Sequence, residues 1–395
     1  MATFSVRFLG CKVSYTDAQA VREALLRDGH AEAGGPAEIA VVNTCCVTHE
    51  ALRKSRRAAG RAARTHRTVY VTGCGAGLAG AFAGLPANVV VVARPSEETP
   101  AAVAGAIGAI GCVQADARLE RTRAFVKIQD GCSFSCAFCV VPLVRGASRS
   151  RSVEAILGEI RRRAAQGHRE IVLTGINLGL FRDREAGVRL PDLVRAAGAV
   201  PGVARLRLSS IEVNHLTPEL VAALRETPTV ARHLHVPLQS GDDEILRAMG
   251  RRYTADSYLR KVEPLGGFQL TTDVIVGFPG EDEPAFARTL AVVDRAGITK
   301  AHVFPYSPRP GTATALADTV PPEVKRERSA RLRARSDEAQ RARWHSKLGD
   351  EDDVLVDRPG RGYGGDYSPW LVDAPVGELV RVRARGVVEE GILAA

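Results

Sequence analysis

The chain has no apolar run long enough to cross a bilayer: its longest low-polarity stretch, Pro100 to Val113, is short and rich in Ala and Gly. Its start, Met-Ala-Thr-Phe-Ser-Val-Arg-Phe-Leu-Gly, lacks a basic segment followed by an apolar one. These two absences argue against a membrane partner and a secretory route, and predict a cytoplasmic protein. Disulfides are rare in that compartment, so the eight cysteines point to metal or redox work. Acidic residues are in deficit, 45 Asp plus Glu against 54 Lys plus Arg, for a formal net charge of +9. Such a field attracts a polyanion, with RNA the natural partner, although the same excess also serves solubility alone. At 395 residues, 45% hydrophobic and 25% charged, the chain can bury a large core divided among two or three domains.

Three of the cysteines fall in one run, Asp130-Gly-Cys-Ser-Phe-Ser-Cys-Ala-Phe-Cys-Val-Val-Pro142. The run contains no histidine and no fourth cysteine, so it departs from structural zinc, which takes four ligands as two close pairs. Three thiols also cannot all pair as disulfides. Cys132, Cys136 and Cys139, spaced by three and then two residues, instead suit three corners of a cubic iron-sulfur cluster. The missing fourth ligand leaves one iron open to chemistry.

Residues 1 to about 112 read as alternating strands and helices: Thr3–Gly10, Thr16–Gly29, Glu38–Thr44, Thr48–Thr65, Thr68–Gly73, Asn88–Ala93 and Ser96–Ala109. That pattern predicts a small α/β layer with a largely parallel sheet. Cys11, Cys45 and Cys74 each lie just beyond the carboxyl end of a predicted strand, and in a parallel sheet those ends share one edge. Any one of them alone reads best as a buried inert thiol, whereas three at equivalent strand ends point to a second cluster site. Cys45 and Cys46 are consecutive in an extended segment, so only one of them faces that site. Cys112 reads as a buried residue ahead of a polar linker over Gln114–Arg123.

Six strand candidates follow: Ala124–Gln129, Glu170–Thr174, Arg205–Ser209, His233–Leu238, Gln269–Gly277 and Lys300–Tyr306. Helical segments at Ser152–Gln166, Leu190–Ala199, Pro218–Glu226, Ala255–Val262 and Glu283–Ala296 alternate with them, which predicts an incomplete parallel barrel over about 124–320 with its working face at the strand carboxyl ends. The charge-dense stretch 321–349 reads as a solvated connecting helix, and 350–395 as a small β module. The fold class is therefore α/β.

The three-cysteine run with Phe138, directly after the first strand of a six-unit barrel, resembles the radical S-adenosylmethionine superfamily. The ordered motifs Gly10-Cys-Lys-Val, Asn43-Thr-Cys-Cys-Val, Thr72-Gly-Cys74, Asp130-Gly-Cys132, Arg145-Gly-Ala-Ser-Arg-Ser-Arg151, Leu173-Thr-Gly-Ile-Asn177, His235-Val-Pro-Leu-Gln-Ser-Gly241 and Gly277-Phe-Pro-Gly-Glu281 narrow the resemblance to its methylthiotransferases. The C-terminal segment, with Gly362-Tyr363 and Tyr367, is similar to the TRAM RNA-binding module. Gly-Cys-Lys-Val at Gly10–Val13 looks most like the branch acting on threonylcarbamoyladenosine beside the tRNA anticodon. The other branches act on isopentenyladenosine tRNA or a ribosomal-protein aspartate. Three features depart from the family pattern: Ser14 stands where Asn is usual, Leu143-Val144 replaces a pair that commonly includes an aromatic, and the C-terminal module is short.

The resemblance implies two 4Fe-4S clusters, one on Cys132, Cys136 and Cys139 and one on Cys11, Cys45 and Cys74, together with S-adenosylmethionine. It implies that a deoxyadenosyl radical takes hydrogen from C2 of the modified adenine, and that the second cluster supplies sulfur. It also implies tRNA as partner, a reducing electron donor and a sulfur source. Asn177, Ser210, Glu212, Gln239, Gly277 and Glu281 lie at or after strand carboxyl ends and are candidates for the S-adenosylmethionine pocket, against a plain role in capping and turns. Arg145, with Arg149 and Arg151, is a candidate for cofactor carboxylate or RNA phosphate; pairing with surface acids is the alternative. Arg53, Lys54, Arg56, Arg57 and Arg61 form a basic helix that is a candidate phosphate track. A noncatalytic metal-containing RNA-binding protein would share the basic helices and the β module but need no S-adenosylmethionine.

Overall fold

The computed structural model describes residues 1–109 and 121–395. Cys112 and residues 114–120 of the expected linker lie outside the described residues.

The described residues form two compact units. The described part of the first falls within Met1–Arg118, Asp130–Arg149 and Ser307–Leu316. Its sheet is parallel throughout, in the order β2-β1-β3-β4-β5, with β1 at Thr3–Phe8, β2 at Ala31–Glu32, β3 at Ile39–Thr44, β4 at Thr68–Gly73 and β5 at Val89–Val91. Helices α1 (Lys12–Arg27) and α2 (His49–Ala62) supply crossovers between its strands, and α3 (Thr99–Ile107) follows the last strand. Strand β3 is buried along its whole length, as a strand covered on both faces must be. Its alternation divides the core: Ile39 and Val41 pack with Val21 and Leu25 of α1 and Val103 of α3, while Ala40 and Val42 pack with Ala58 and Ala59 of α2. Each fully buried Val, Leu or Ile adds roughly 1.5–3 kcal/mol.

The second unit falls within Leu119–Gln129, Ser150–Tyr306 and Ala317–Ala395. Strands Arg123–Lys127, Glu170–Thr174 and Arg205–Leu208 form one parallel sheet, and His233–His235, Gln269–Val276 and Ile298–Pro305 form another. Parallel bridges Leu206–Val230 and Ser210–His235 join the two, giving six consecutive strands in chain order. Helices Val153–Ala165, Leu190–Gly198, Pro218–Glu226, Ala255–Val262 and Glu283–Arg295 alternate with the strands, and one core runs from Val126 and Ile171 to Leu234, Val274 and Phe286. This is the incomplete barrel that the repeated units predict.

The helix Pro322–His345 differs from its reading as a solvated connector. It buries Lys325, Arg328, Ser329, Leu332, Ser336 and Trp344. Arg328 is drawn inward by Glu281, with Nη1 to Oε1 at 2.7 Å, so this part of the charge run is structural. Residues 351–394 close a five-stranded barrel around Trp370, Val354, Val356 and Ile392. No helix among the described residues is long and apolar enough to cross a membrane.

Candidate metal centre and cofactor residues

All six candidate cluster ligands lie in the first unit. Cys45 and Cys74 each follow the last residue of a neighbouring strand, and Thr44 is in register with Gly73, so the two thiols leave adjacent strands at the same level. Cys11 follows β1, the strand on the other side of β3, and caps the start of α1. Glycines at positive φ let the chain turn at these ends. At Gly10 (φ 131°) a Cβ would stand 3.1 Å from the Cys45 Cβ, and at Gly73 (φ 82°) it would stand 2.7 Å from Asn43 Oδ1. Ser55 of α2 clamps Cys45, its hydroxyl accepting from the Cys45 N–H and donating to the Cys45 carbonyl, both at 3.0 Å.

These thiols share one electrostatic environment. Burial pushes the Cys45 thiol up, and the charge of Cys11 adds to that shift; burial likewise pushes Cys74 up to about 12, with Arg145 opposing it and Cys11 and Cys46 reinforcing it. Cys46, which the sequence leaves ambiguous with Cys45, is fully buried, and its Sγ lies 3.3 Å from the Cys74 carbonyl. Cys46 packs with Cys74 and Val140, the residue after Cys139, so it fills the space behind the sheet edge.

The three-cysteine loop closes on itself. Cys132 N–H donates to the Gly146 carbonyl at 3.0 Å, and Gly131 turns at φ 67° where a Cβ would stand 2.1 Å from the Ala147 carbonyl oxygen. Inside the loop, Phe134 N–H approaches Cys132 Sγ at 3.4 Å and Cys139 N–H donates to the Cys136 carbonyl at 3.1 Å. Cys132, Cys136 and Cys139 remain partly exposed. No group of three or more His, Cys, Asp or Glu among the described residues is arranged to hold a single metal ion. Both sets are cysteine alone, a donor chemistry that fits an iron-sulfur cluster.

Arg145 ends the short helix α4 (Val141–Arg145) and is almost wholly buried. It is a candidate for cofactor carboxylate in the sequence, but here its fork is committed to Asp130, Asp17 and Cys74. Beside it lies a cavity of about 320 Å³ lined by Asp17, Asn43, Cys74, Asp130 and Arg149 among others. Asp17 escapes a reading of sequence motifs; the signal that could have found it is an acid placed within the buried stripe of α1, between Tyr15 and Ala18.

The other S-adenosylmethionine candidates lie in the second unit, each after a barrel strand. Asn177 donates its N–H to Gln129 Oε1 at 2.9 Å, and its Oδ1, like the Thr174 Oγ1, is buried with no hydrogen-bond partner among the described residues. Two orphaned acceptors at one strand end suit a polar ligand. Ser210 is bridged to His235, and Gln239 takes a left-handed conformation at φ 67°. Glu212 caps the following turn by accepting from Asn214 N–H at 2.9 Å. Glu281 accepts from Gly277 N–H at 2.7 Å and pairs with Arg328, so both carboxylates serve local structure.

The basic helix α2 sorts into two kinds of residue. Arg53 and Lys54 pair with Glu50, the latter at 3.7 Å. Arg56 turns back to the carbonyls of Ala81 and Ala83, the second at 3.0 Å, and ties the helix to the loop after Cys74. Arg57 and Arg61 are exposed.

Comparison with known proteins places these features. Residues 126–293 match the Radical SAM superfamily and residues 3–89 match the uncharacterized protein family UPF0004. A threonylcarbamoyladenosine tRNA methylthiotransferase of Thermotoga maritima is 32% identical over 100% of this chain and 96% of its own length. One of the same name from Chlamydia pneumoniae is 33% identical over 99% and 97%. A tRNA-2-methylthio-N(6)-dimethylallyladenosine synthase of Sorangium cellulosum is 36% identical over 92% and 84%. Among solved structures, a radical S-adenosylmethionine methyltransferase from Kitasatospora setae shares the fold with a TM-score of 0.59 at 16% identity, covering 80% of this chain and 77% of that one.

Proposed function

Because the chain belongs to the radical S-adenosylmethionine methylthiotransferase family and is a tRNA-modifying enzyme of that kind, we propose that it methylthiolates threonylcarbamoyladenosine. Identity alone does not choose the nucleoside, since the Sorangium relative is at least as similar. The observation that carries the reading is Lys12, the first residue of α1 and the neighbour of Cys11. A threonylcarbamoyl group bears a carboxylate and a dimethylallyl group bears no charge, so a cation beside a candidate ligand favours the former.

The family works with a four-iron cluster and S-adenosylmethionine. In our reading Cys132, Cys136 and Cys139 hold that cluster, and Cys11, Cys45 and Cys74 hold a second. When bound, the first supplies the electron that cleaves S-adenosylmethionine and starts radical chemistry at an unactivated carbon. The chain's own residues bind and orient. Asn177, Ser210 and Gln239 offer polar groups to the cofactor, Lys12 takes the substrate carboxylate, and Arg57 and Arg61 meet tRNA phosphate. The reading also requires a reducing electron donor and a source of sulfur.

Nucleoside mass spectrometry of tRNA from a deletion strain tests the substrate: 2-methylthio-threonylcarbamoyladenosine should vanish and return with the gene. Loss of the dimethylallyl product instead would overturn the assignment. In the complemented strain Lys12→Leu should lower the modification rate by about tenfold or more, the worth of one charged hydrogen bond of roughly 1.5–3 kcal/mol.

Arg57→Glu with Arg61→Glu should weaken tRNA binding and flatten the plot of log affinity against log salt by about two, one for each phosphate left without its arginine. Fluorescence anisotropy across a salt series reads both. An unchanged slope would make α2 a solvated face. Arg56 is left intact because its guanidinium holds the loop that follows Cys74.

A further inference from the structure

One guanidinium connects three stretches of the first unit that the sequence keeps far apart. Arg145 Nε–H donates to Cys74 Sγ at 2.9 Å. One terminal nitrogen donates to both oxygens of Asp130 at 3.0 Å, and the other to Asp17 Oδ2 at 2.8 Å. Asp130 begins the neck of the three-cysteine loop and Arg145 ends it, while Asp17 stands on the helix that Cys11 caps. The approach is enforced by packing: a Cβ on Gly77, in the turn after Cys74, would stand 2.8 Å from the Val144 carbonyl oxygen, so α4 lies directly on that turn. All three side chains are buried, at 9% exposure or less, and the two carboxylates fix the plane of the guanidinium with Nε aimed at sulfur.

We propose that Arg145 is a positioning residue for Cys74, orienting and polarising its sulfur as a cluster ligand while Asp130 couples that contact to the neck of the three-cysteine loop. The inference rests on the reading that Cys74 ligates a second cluster. Hydrogen bonds to ligand sulfurs and local positive charge favour the reduced, more negative state of an iron-sulfur centre. Arg145 therefore raises the reduction potential of the cluster at Cys74 and limits the directions its sulfur can take. A guanidinium that only filled space between two acids would leave the potential alone.

The test uses the full-length chain carrying Cys132→Ala, Cys136→Ala and Cys139→Ala, reconstituted anaerobically so that one cluster remains. Its midpoint potential is read by redox titration with electron paramagnetic resonance, beside iron and sulfide content. Adding Arg145→Gln should shift the potential to a more negative value. Arg145→Lys, which keeps the charge but loses the planar fork, should recover part of the shift. Should the Gln variant fail to fold, the Lys variant still decides, because an unchanged potential there overturns the inference. Normal loading with unchanged potential in both variants sinks the role of Arg145 while leaving the second cluster standing. A parent chain that takes up no iron with Arg145 intact removes the second-cluster reading itself, and the inference with it.

Discussion

Replacing Cys132, Cys136 and Cys139 together by alanine is expected to leave one four-iron cluster per chain and no cleavage of S-adenosylmethionine. The expectation follows from how the two cysteine sets are built. The loop thiols sit on a segment closed by its own bonds, Cys132 N–H to Gly146 and Cys139 N–H to Cys136, and they belong to no strand. The sheet-edge thiols are held by different supports: Ser55 on Cys45, and the glycine turns before Cys11 and Cys74. Removing one set therefore leaves the scaffold of the other in place. The effect on activity is total because no other cysteine among the described residues can supply the missing thiolates; Cys46 is buried against the Cys74 carbonyl. Iron and sulfide analysis, with chromatographic detection of 5′-deoxyadenosine, reads both halves of the result. Residual cleavage of S-adenosylmethionine would show that the loop is not the catalytic centre, and a chain without iron would show that it carries the only one.

What the sequence could disclose here was set by the range over which each signal acts. Strands such as Ile39–Thr44 and the cysteines at their ends are legible because apolar period and end position are local properties, and a parallel sheet then aligns ends that lie dozens of residues apart. The helices Pro218–Glu226 and Ala255–Val262 are legible for the same reason, each announced by a Thr cap. Side-chain pairing across the fold has no such local signature. Arg56 reads as one more outward cation on a basic helix, yet it bonds carbonyls of a loop that the helical period cannot see. Arg328 reads as part of a solvated charge run until Glu281 is found against it. The same blindness hides the partners of Arg145, although Asp130 stands in plain view two residues before Cys132.

The largest stability effect is expected at a residue no motif marks. Glu170 opens the strand Glu170–Thr174 and is 1% exposed, with Arg207 Nε at 2.8 Å and Arg205 Nη1 at 3.0 Å from its two oxygens. Arg205 reaches on to the carbonyls of Tyr363 and Gly364, both at 3.2 Å, so this carboxylate underpins the contact between the starts of the barrel strands and the C-terminal β-barrel. Tyr367 seals the cluster, stacked on His233 at 5.1 Å between ring centres and lying under Arg207 at 4.5 Å. Glu170→Ala leaves two buried guanidinium groups short of their counter-charge and should cost about 3–5 kcal/mol, read by denaturant unfolding at pH 7. The pH dependence supplies an independent check. Burial pushes the Glu170 carboxyl up, but Arg207, Arg205 and Arg123 outweigh it and hold it at about 2, below the 4.5 of a free glutamate. Its contribution is thus fully present above pH 4.5 and is lost as pH falls toward 2, because the unfolded chain takes up the proton first. The native chain should therefore lose stability across that window faster than the alanine variant, and the two curves should converge in acid. Parallel curves, or a loss under about 1 kcal/mol at pH 7, would mean that the arginines find other partners and that the C-terminal barrel is held by its apolar contacts alone.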